Sequence, residues 1–175
     1  SLGFDCRVLP NPVPQGGPFL IARRVEHPDL PTVLGYGHGD VVSGQDAAWR
    51  EGLGPWALTA EGDRLYGRGT ADNKGQHTVN LGALQATLQS RQGRLGYNLT
   101  WLFEMGEEAG SPGLHAFCEQ QRQALRADVF LASDGPRVST ARPTLFLGSR
   151  GAVNFPLRLK ERARAFHSGN WGGVL

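Results

Sequence analysis

The chain has 175 residues, 39% of them aliphatic or aromatic and 19% charged, and its formal net charge is +2. That composition supports a buried core and excludes a disordered or fibrous chain; the scattered basic residues make no nucleic-acid footprint, and no apolar run is long enough to cross a membrane. Cys6 and Cys118 stand outside any C-x-x-C spacing, which excludes a zinc–thiolate site, and both are expected as buried free thiols in a reducing cytoplasm.

In chain order, residues 2–9 and 18–25 read as two strands joined by the turn-rich segment Pro10-Asn11-Pro12-Val13-Pro14-Gln15-Gly16-Gly17. The chain starts at Ser1 without a methionine or a signal-peptide pattern and enters a strand at once, so it is expected to begin inside a domain. Residues 32–36 form a continuous apolar run of the kind buried on both faces. A long loop over 43–63 carries Trp49 and Trp56, for which packing is the expected use. From Asp72 to about Arg91 the positions of Val79, Leu81, Ala83, Leu84, Ala86 and Leu88 predict a helix packed on a sheet. A strand over 97–103, a helix over 111–125 and a strand over 129–132 complete an alternating pattern that predicts a three-layer α/β domain. A further short strand is expected at 144–147, and the alternating, charged segment 153–164 reads as the first strand of a second domain.

The residues with chemistry sit where these elements end. His38 and Asp40 close the third strand as an H-x-D pair, with the carboxylate suited to hold the second ring nitrogen of a metal-bound imidazole. Asp72 follows the glycine turn Gly67-Arg68-Gly69-Thr70-Ala71, a position also suited to a helix N-cap. Glu107 and Glu108 follow Met105-Gly106, and Asp134 follows the strand over 129–132. Ligands of α/β proteins bind outside the carboxyl ends of the strands. Converging carboxylates repel one another without a cation, and a mixed imidazole–carboxylate set suits zinc, with cobalt or manganese as substitutes.

The segments His38-Gly39-Asp40-Val41-Val42, Gly67-Arg68-Gly69-Thr70-Ala71-Asp72-Asn73-Lys74-Gly75, Glu104-Met105-Gly106-Glu107-Glu108-Ala109-Gly110-Ser111 and Asp134-Gly135 together resemble the M20 family of metallohydrolases. That group comprises aminoacylases, carboxypeptidase G, acetylornithine deacetylase, succinyl-diaminopimelate desuccinylase and carnosinase-like dipeptidases. The resemblance implies a zinc-peptidase-like α/β/α catalytic domain over 1–149 and the start of a smaller α+β lid, or dimerisation, domain over 150–175. It implies two Zn2+ ions (Co2+ or Mn2+ in their place): His38 and Asp134 on one, Glu108 on the other, Asp72 bridging both, Asp40 orienting His38 and Glu107 as general base and acid. His167, in an H-S-G motif of the lid, is implied to reach the site of a partner subunit. The expected activity is cleavage of an amide bond in an N-acyl amino acid or short peptide, by a homodimer, with no nucleic acid or membrane partner. The family's second metal-binding histidine and its N-terminal helices have no counterpart here, so the sequence reads as a fragment. His27, His77 and His115 match no motif and are expected to be structural or superficial, and Glu104 to give a supporting hydrogen bond. A catalytically silent relative is the alternative; a dinucleotide-binding domain is disfavoured because the third glycine of its fingerprint is missing.

Overall fold

The computed structural model describes residues 2–135, 137–148, 151, 153 and 155–157. The chain divides into two compact units, residues 1–144 and 145–175. The first unit carries the named elements: β1 (Asp5–Leu9), β2 (Phe19–Arg24), β3 (Thr32–His38), the hairpin β4 (Thr59–Glu61) and β5 (Arg64–Tyr66), α1 (Lys74–Ser90), β6 (Asn98–Glu104), α2 (Leu114–Gln120) and β7 (Val129–Ala132). Among the described residues no helix is long and apolar enough to cross a membrane.

Among the described residues five strands form one sheet in the order β1-β2-β6-β3-β7, and β4 pairs with β5 in a separate hairpin. β2 runs antiparallel to β1, as the proline-rich turn between them predicts, and antiparallel to β6; β3 is parallel to both β6 and β7. Period-two alternation divides the core between the two faces of the sheet. Phe19, Ile21 and Leu102 pack with Phe117 of α2 on one face, where the rings of Phe19 and Phe117 stack 3.9 Å apart. Ala22, Leu99 and Trp101 pack with Leu84 of α1 and Leu95 on the other. The result is the α/β fold in three layers. Because β3 is parallel to β6 and β7, all three strands end at one edge, with His38 opposite Glu104 in the β3–β6 register. The glycine turn before α1 is equally constrained: a side chain at Gly75 would collide with the Thr70 carbonyl, so the chain can fold back tightly only with glycine there.

Several expectations need correction. The buried stripe of α1 is His77 and Leu84, with Leu88 packed beside it, while Val79 and Leu81 point outward at 67% and 42% exposure. The apolar positions were assigned to one face, but the helix turns 79 and 81 away from the sheet. Cys6 is exposed on the edge strand β1, and Cys118 is half-buried; both are free thiols. Trp56 is 67% exposed with its ring edge beside Gly44, whereas Trp49 donates to the Gly44 carbonyl at 2.8 Å and stacks under Arg68. α2 begins at Leu114 rather than 111 because Ser111 and Gly113 adopt positive φ, which interrupts a helix. No strand forms at 144–147, where Leu145, Phe146 and Leu147 are exposed. The domain boundary expected at 149/150, most of the strand expected over 153–164, and His167 lie outside the described residues.

Candidate metal centre

His38 ends β3 with its side chain fully buried, and its main chain is held from both sides. Its N–H donates to Asn73 Oδ1 at 3.1 Å, and its carbonyl accepts from His77 Nε2 at 3.1 Å. Burial pushes His77 below the usual imidazole range, so it stands neutral with the proton on Nε2 as donor. Asn73 precedes α1 at the N-cap position, yet its side chain does not cap the helix. It is fully buried, and its amide nitrogen donates to the Ser133 carbonyl at 2.7 Å and to Asp134 Oδ1 at 2.9 Å. One side chain therefore ties the end of β3 to the segment that follows β7.

Around the imidazole the carboxylates converge. His38 Nε2 lies 2.9 Å from Asp72 Oδ1, 3.6 Å from Asp134 Oδ1 and 3.8 Å from Glu107 Oε2. The N-cap alternative for Asp72 does not hold, because Asn73 occupies that place and Asp72 faces His38. On the other side of the ring, Nδ1 donates to the Asp40 backbone carbonyl at 3.1 Å, with Asp40 Oδ1 at 3.4 Å. The Asp40 carboxylate itself accepts from the backbone N–H groups of Glu107 (3.1 Å) and Glu108 (3.0 Å). It therefore fixes the turn Glu107–Ala109 at least as much as it orients the histidine.

The electrostatics follow from this crowding. Burial raises Glu107 above the usual carboxylate range, and the charges of Asp134, Glu108 and Asp72 push it the same way. Burial likewise raises Asp134, reinforced by Asp72 and Glu108. Burial alone would lower His38, but the hydrogen bond to Asp72 and the charges of Asp134 and Glu107 outweigh it and hold the imidazole above its ordinary value.

The donor set fits a cation. His38, Asp72 and Asp134 each offer one ligand atom, and these atoms lie within 4.8 Å of one another. With Nδ1–H committed to the Asp40 carbonyl, a neutral His38 turns its Nε2 lone pair toward carboxylate oxygens that are themselves acceptors. A proton or a divalent metal ion between them removes that repulsion, and imidazole with carboxylates is a donor set that zinc accepts. Glu108 lies outside the 4.8 Å set, although its charge raises both Asp134 and Glu107.

Sequence reasoning missed Asn73, and it left His77 without a task at the site. Glu104 does give the expected supporting contact: its buried carboxylate accepts from the Tyr36 hydroxyl and from Ser111 Oγ. His27 and His115 are exposed.

Residues 34–157 match the family described as Peptidase family M20/M25/M40. The chain is 36% identical, over its whole length, to Beta-Ala-His dipeptidase of Mus musculus, of which it covers 36%. It is 33% identical over 99% of its length to Cysteinylglycine-S-conjugate dipeptidase of Corynebacterium striatum, covering 37% of that protein. Among solved structures it is similar to human carnosine dipeptidase 1, with a TM-score of 0.70 and 29% identity, over 79% of this chain and 31% of that one. It is also similar to an M20 family metallo-carboxypeptidase from Sulfolobus solfataricus, with a TM-score of 0.66 and 30% identity, over 75% of this chain and 28% of that one. The chain thus spans about a third of the length of the curated relatives it matches.

Proposed function

Since the chain belongs to peptidase family M20/M25/M40, we propose that the complete protein is a metal-dependent hydrolase that cleaves the amide bond of a dipeptide or another small N-acylated amino acid. The observation that carries this is the buried His38 Nε2 facing Asp72 and Asp134, with the Glu107 carboxylate 3.8 Å from it. Names of relatives that include Beta-Ala-His and Cys-Gly dipeptidases favour a short peptide over a simple acetylated amino acid.

His38, Asp72 and Asp134 would hold one cation, and Asp72 and Glu108, with ligands from elsewhere in the complete protein, would hold a second. A cation in that place supplies positive charge that acidifies water and polarises a carbonyl oxygen. The remaining work belongs to the chain. Glu107, whose carboxylate lies 3.8 Å from His38 Nε2 and is raised above the usual carboxylate range by burial, accepts a proton from the attacking water and returns it to the leaving amine. The Asp40 carboxylate holds the Glu107 and Glu108 backbone in place for that transfer. By the family resemblance we also assign His167 to the substrate's developing negative charge and a homodimer to the complete protein.

The test uses the full-length protein, assayed for bound metal and for hydrolysis of β-alanyl-histidine, cysteinyl-glycine and N-acetyl amino acids. Glu107→Gln is expected to keep its metal and to lose turnover by about a hundred- to ten-thousand-fold, as for removal of one general acid–base group. Asp72→Asn is expected to lose metal and turnover together. A Glu107→Gln protein that hydrolyses at the wild-type rate refutes the assignment.

A further inference from the structure

Glu104, the last residue of β6, is 1% exposed, and its carboxylate is used in a way the chemistry above does not require. Its Oε1 accepts from the Tyr36 hydroxyl and from Ser111 Oγ, the latter at 2.9 Å, while Oε2 is buried without a hydrogen-bond partner among the described residues. Replacing a buried carboxylate together with its partners by apolar side chains of similar volume is often neutral or stabilising, so stability alone does not require a carboxylate network there. Its neighbours suggest a different purpose. Tyr36 stands two residues before His38 on β3, and Ser111 closes the turn that carries Glu107 and Glu108, its N–H donating to the Gly106 carbonyl at 2.8 Å. The Glu104 carbonyl also accepts from Gly39 N–H at 2.9 Å, which fixes the two strand ends side by side.

We propose that Glu104 is a positioning residue: by binding Tyr36 and Ser111 together it sets the place of the Glu107–Glu108 turn relative to His38. Two fastenings then define the turn. The Asp40 carboxylate grips the N–H groups of Glu107 and Glu108 at one end, and Glu104 grips Ser111 at the other. Gly110 lies between them and Gly106 just before them, and neither carries a side chain that could brace the turn if one fastening were removed. This rests on the reading of Glu107 as the proton acceptor, since only a group that must meet a reacting atom gains from such placement.

The experiment takes the full-length metal-loaded protein and compares Ser111→Ala, Glu104→Leu and Glu104→Gln by turnover, KM, metal content and amide hydrogen exchange over residues 105–111. Ser111→Ala and Glu104→Leu are expected to exchange faster over 105–111 and to lose about ten- to a hundredfold in kcat, the scale of a small misplacement, with KM and metal content unchanged. Glu104→Gln keeps an oxygen for both hydroxyls and is expected to restore most of the turnover. Ser111→Ala, the substitution least able to disturb folding, decides the matter if Glu104→Leu does not fold. Unchanged exchange over 105–111 in Ser111→Ala, or faster exchange with wild-type kcat, overturns the proposal. Glu107→Gln run alongside separates the two readings: full turnover there refutes Glu107 as base, whereas an inactive Glu107→Gln beside a fully active Ser111→Ala refutes only the positioning role.

Discussion

Asn73→Ala removes a side chain that contributes no ligand, yet it should be felt at the metal. The asparagine is fully buried and makes three hydrogen bonds: from the His38 N–H at 3.1 Å, to the Ser133 carbonyl at 2.7 Å and to Asp134 Oδ1 at 2.9 Å. Each intramolecular bond is worth about 0.5–1.5 kcal/mol net, and a buried donor left unpaired costs about 1–3 kcal/mol. Asp134 and Ser133 are partly accessible and can turn to water, but the His38 N–H cannot, so a total loss of about 2–4 kcal/mol of stability follows. The second consequence is orientational. His38 and Asp134 are both aimed by this one amide, and loss of a group that orients metal ligands typically costs about ten- to a hundredfold in affinity. The measurement is a Zn2+ titration of the metal-free full-length protein against a chromophoric chelator, paired with melting curves with and without Zn2+. The variant should melt lower in both conditions, and the increment gained on adding Zn2+ should shrink. Wild-type Zn2+ affinity in a folded Asn73→Ala protein would refute the claim that Asn73 aims the ligands, whatever its melting temperature.

Three further outcomes are expected. Gly37→Ala places a methyl group against the His77 ring and 2.6 Å from Asn73 Oδ1, so it should lower the melting temperature markedly; an unchanged melting curve would show that the α1–β3 contact yields easily. Asp40→Ala removes the acceptor for the Glu107 and Glu108 N–H groups but leaves the Asp40 backbone carbonyl that binds His38 Nδ1, so kcat should fall while metal content falls far less than in Asp72→Asn. Glu26 accepts from the backbone N–H groups of Leu95 and Gly96 and binds Arg24, which holds its carboxyl below the usual range. A depressed carboxyl stabilises the fold above its unfolded pKa, and that contribution disappears as the pH falls through its folded pKa. Glu26→Gln should therefore be less stable than wild type in denaturant at neutral pH, with the gap closing as the pH falls below the usual carboxylate range; a gap that stays the same on acidification would contradict this.

The elements and the acids were legible because both follow from local rules. An apolar run that stops at a small residue and then an acid marks a strand end and points to Glu107 and Asp134, while the H-x-D pair at the end of another apolar run points to His38. Asn73 and His77 were not legible, because their work is done on another segment's main chain, which leaves no charge pattern in the sequence. A signal did exist: Asn73 at the helix entry and His77 four residues later share one helix face, which is unusual for two polar groups on an otherwise apolar side. The H-x-D pattern puts Asp40 on the third strand beside His38, but β3 ends at His38, and the Asp40 carboxylate accepts from the amides of Glu107 and Glu108. Val79 and Leu81 were misread because several apolar positions in α1 allow more than one stripe, and only the packing of Leu84 against Trp101 and Leu99 selects among them.

The parallel neighbours of β3 also govern when the site comes into being. β3 pairs with β6 and with β7 in parallel register, so neither contact can close as a hairpin, and each waits for a long stretch of chain to cross back. His38, Asp72 and Asp134 are therefore strangers until both pairings are made, and an unfolded chain offers a cation only isolated carboxylates and imidazoles. Contacts absent from the folding transition state slow unfolding without speeding folding. A bound cation should accordingly lengthen the life of the native protein in unfolding experiments and leave the refolding rate as it was, acting as a latch on a finished sheet rather than as a nucleus for it.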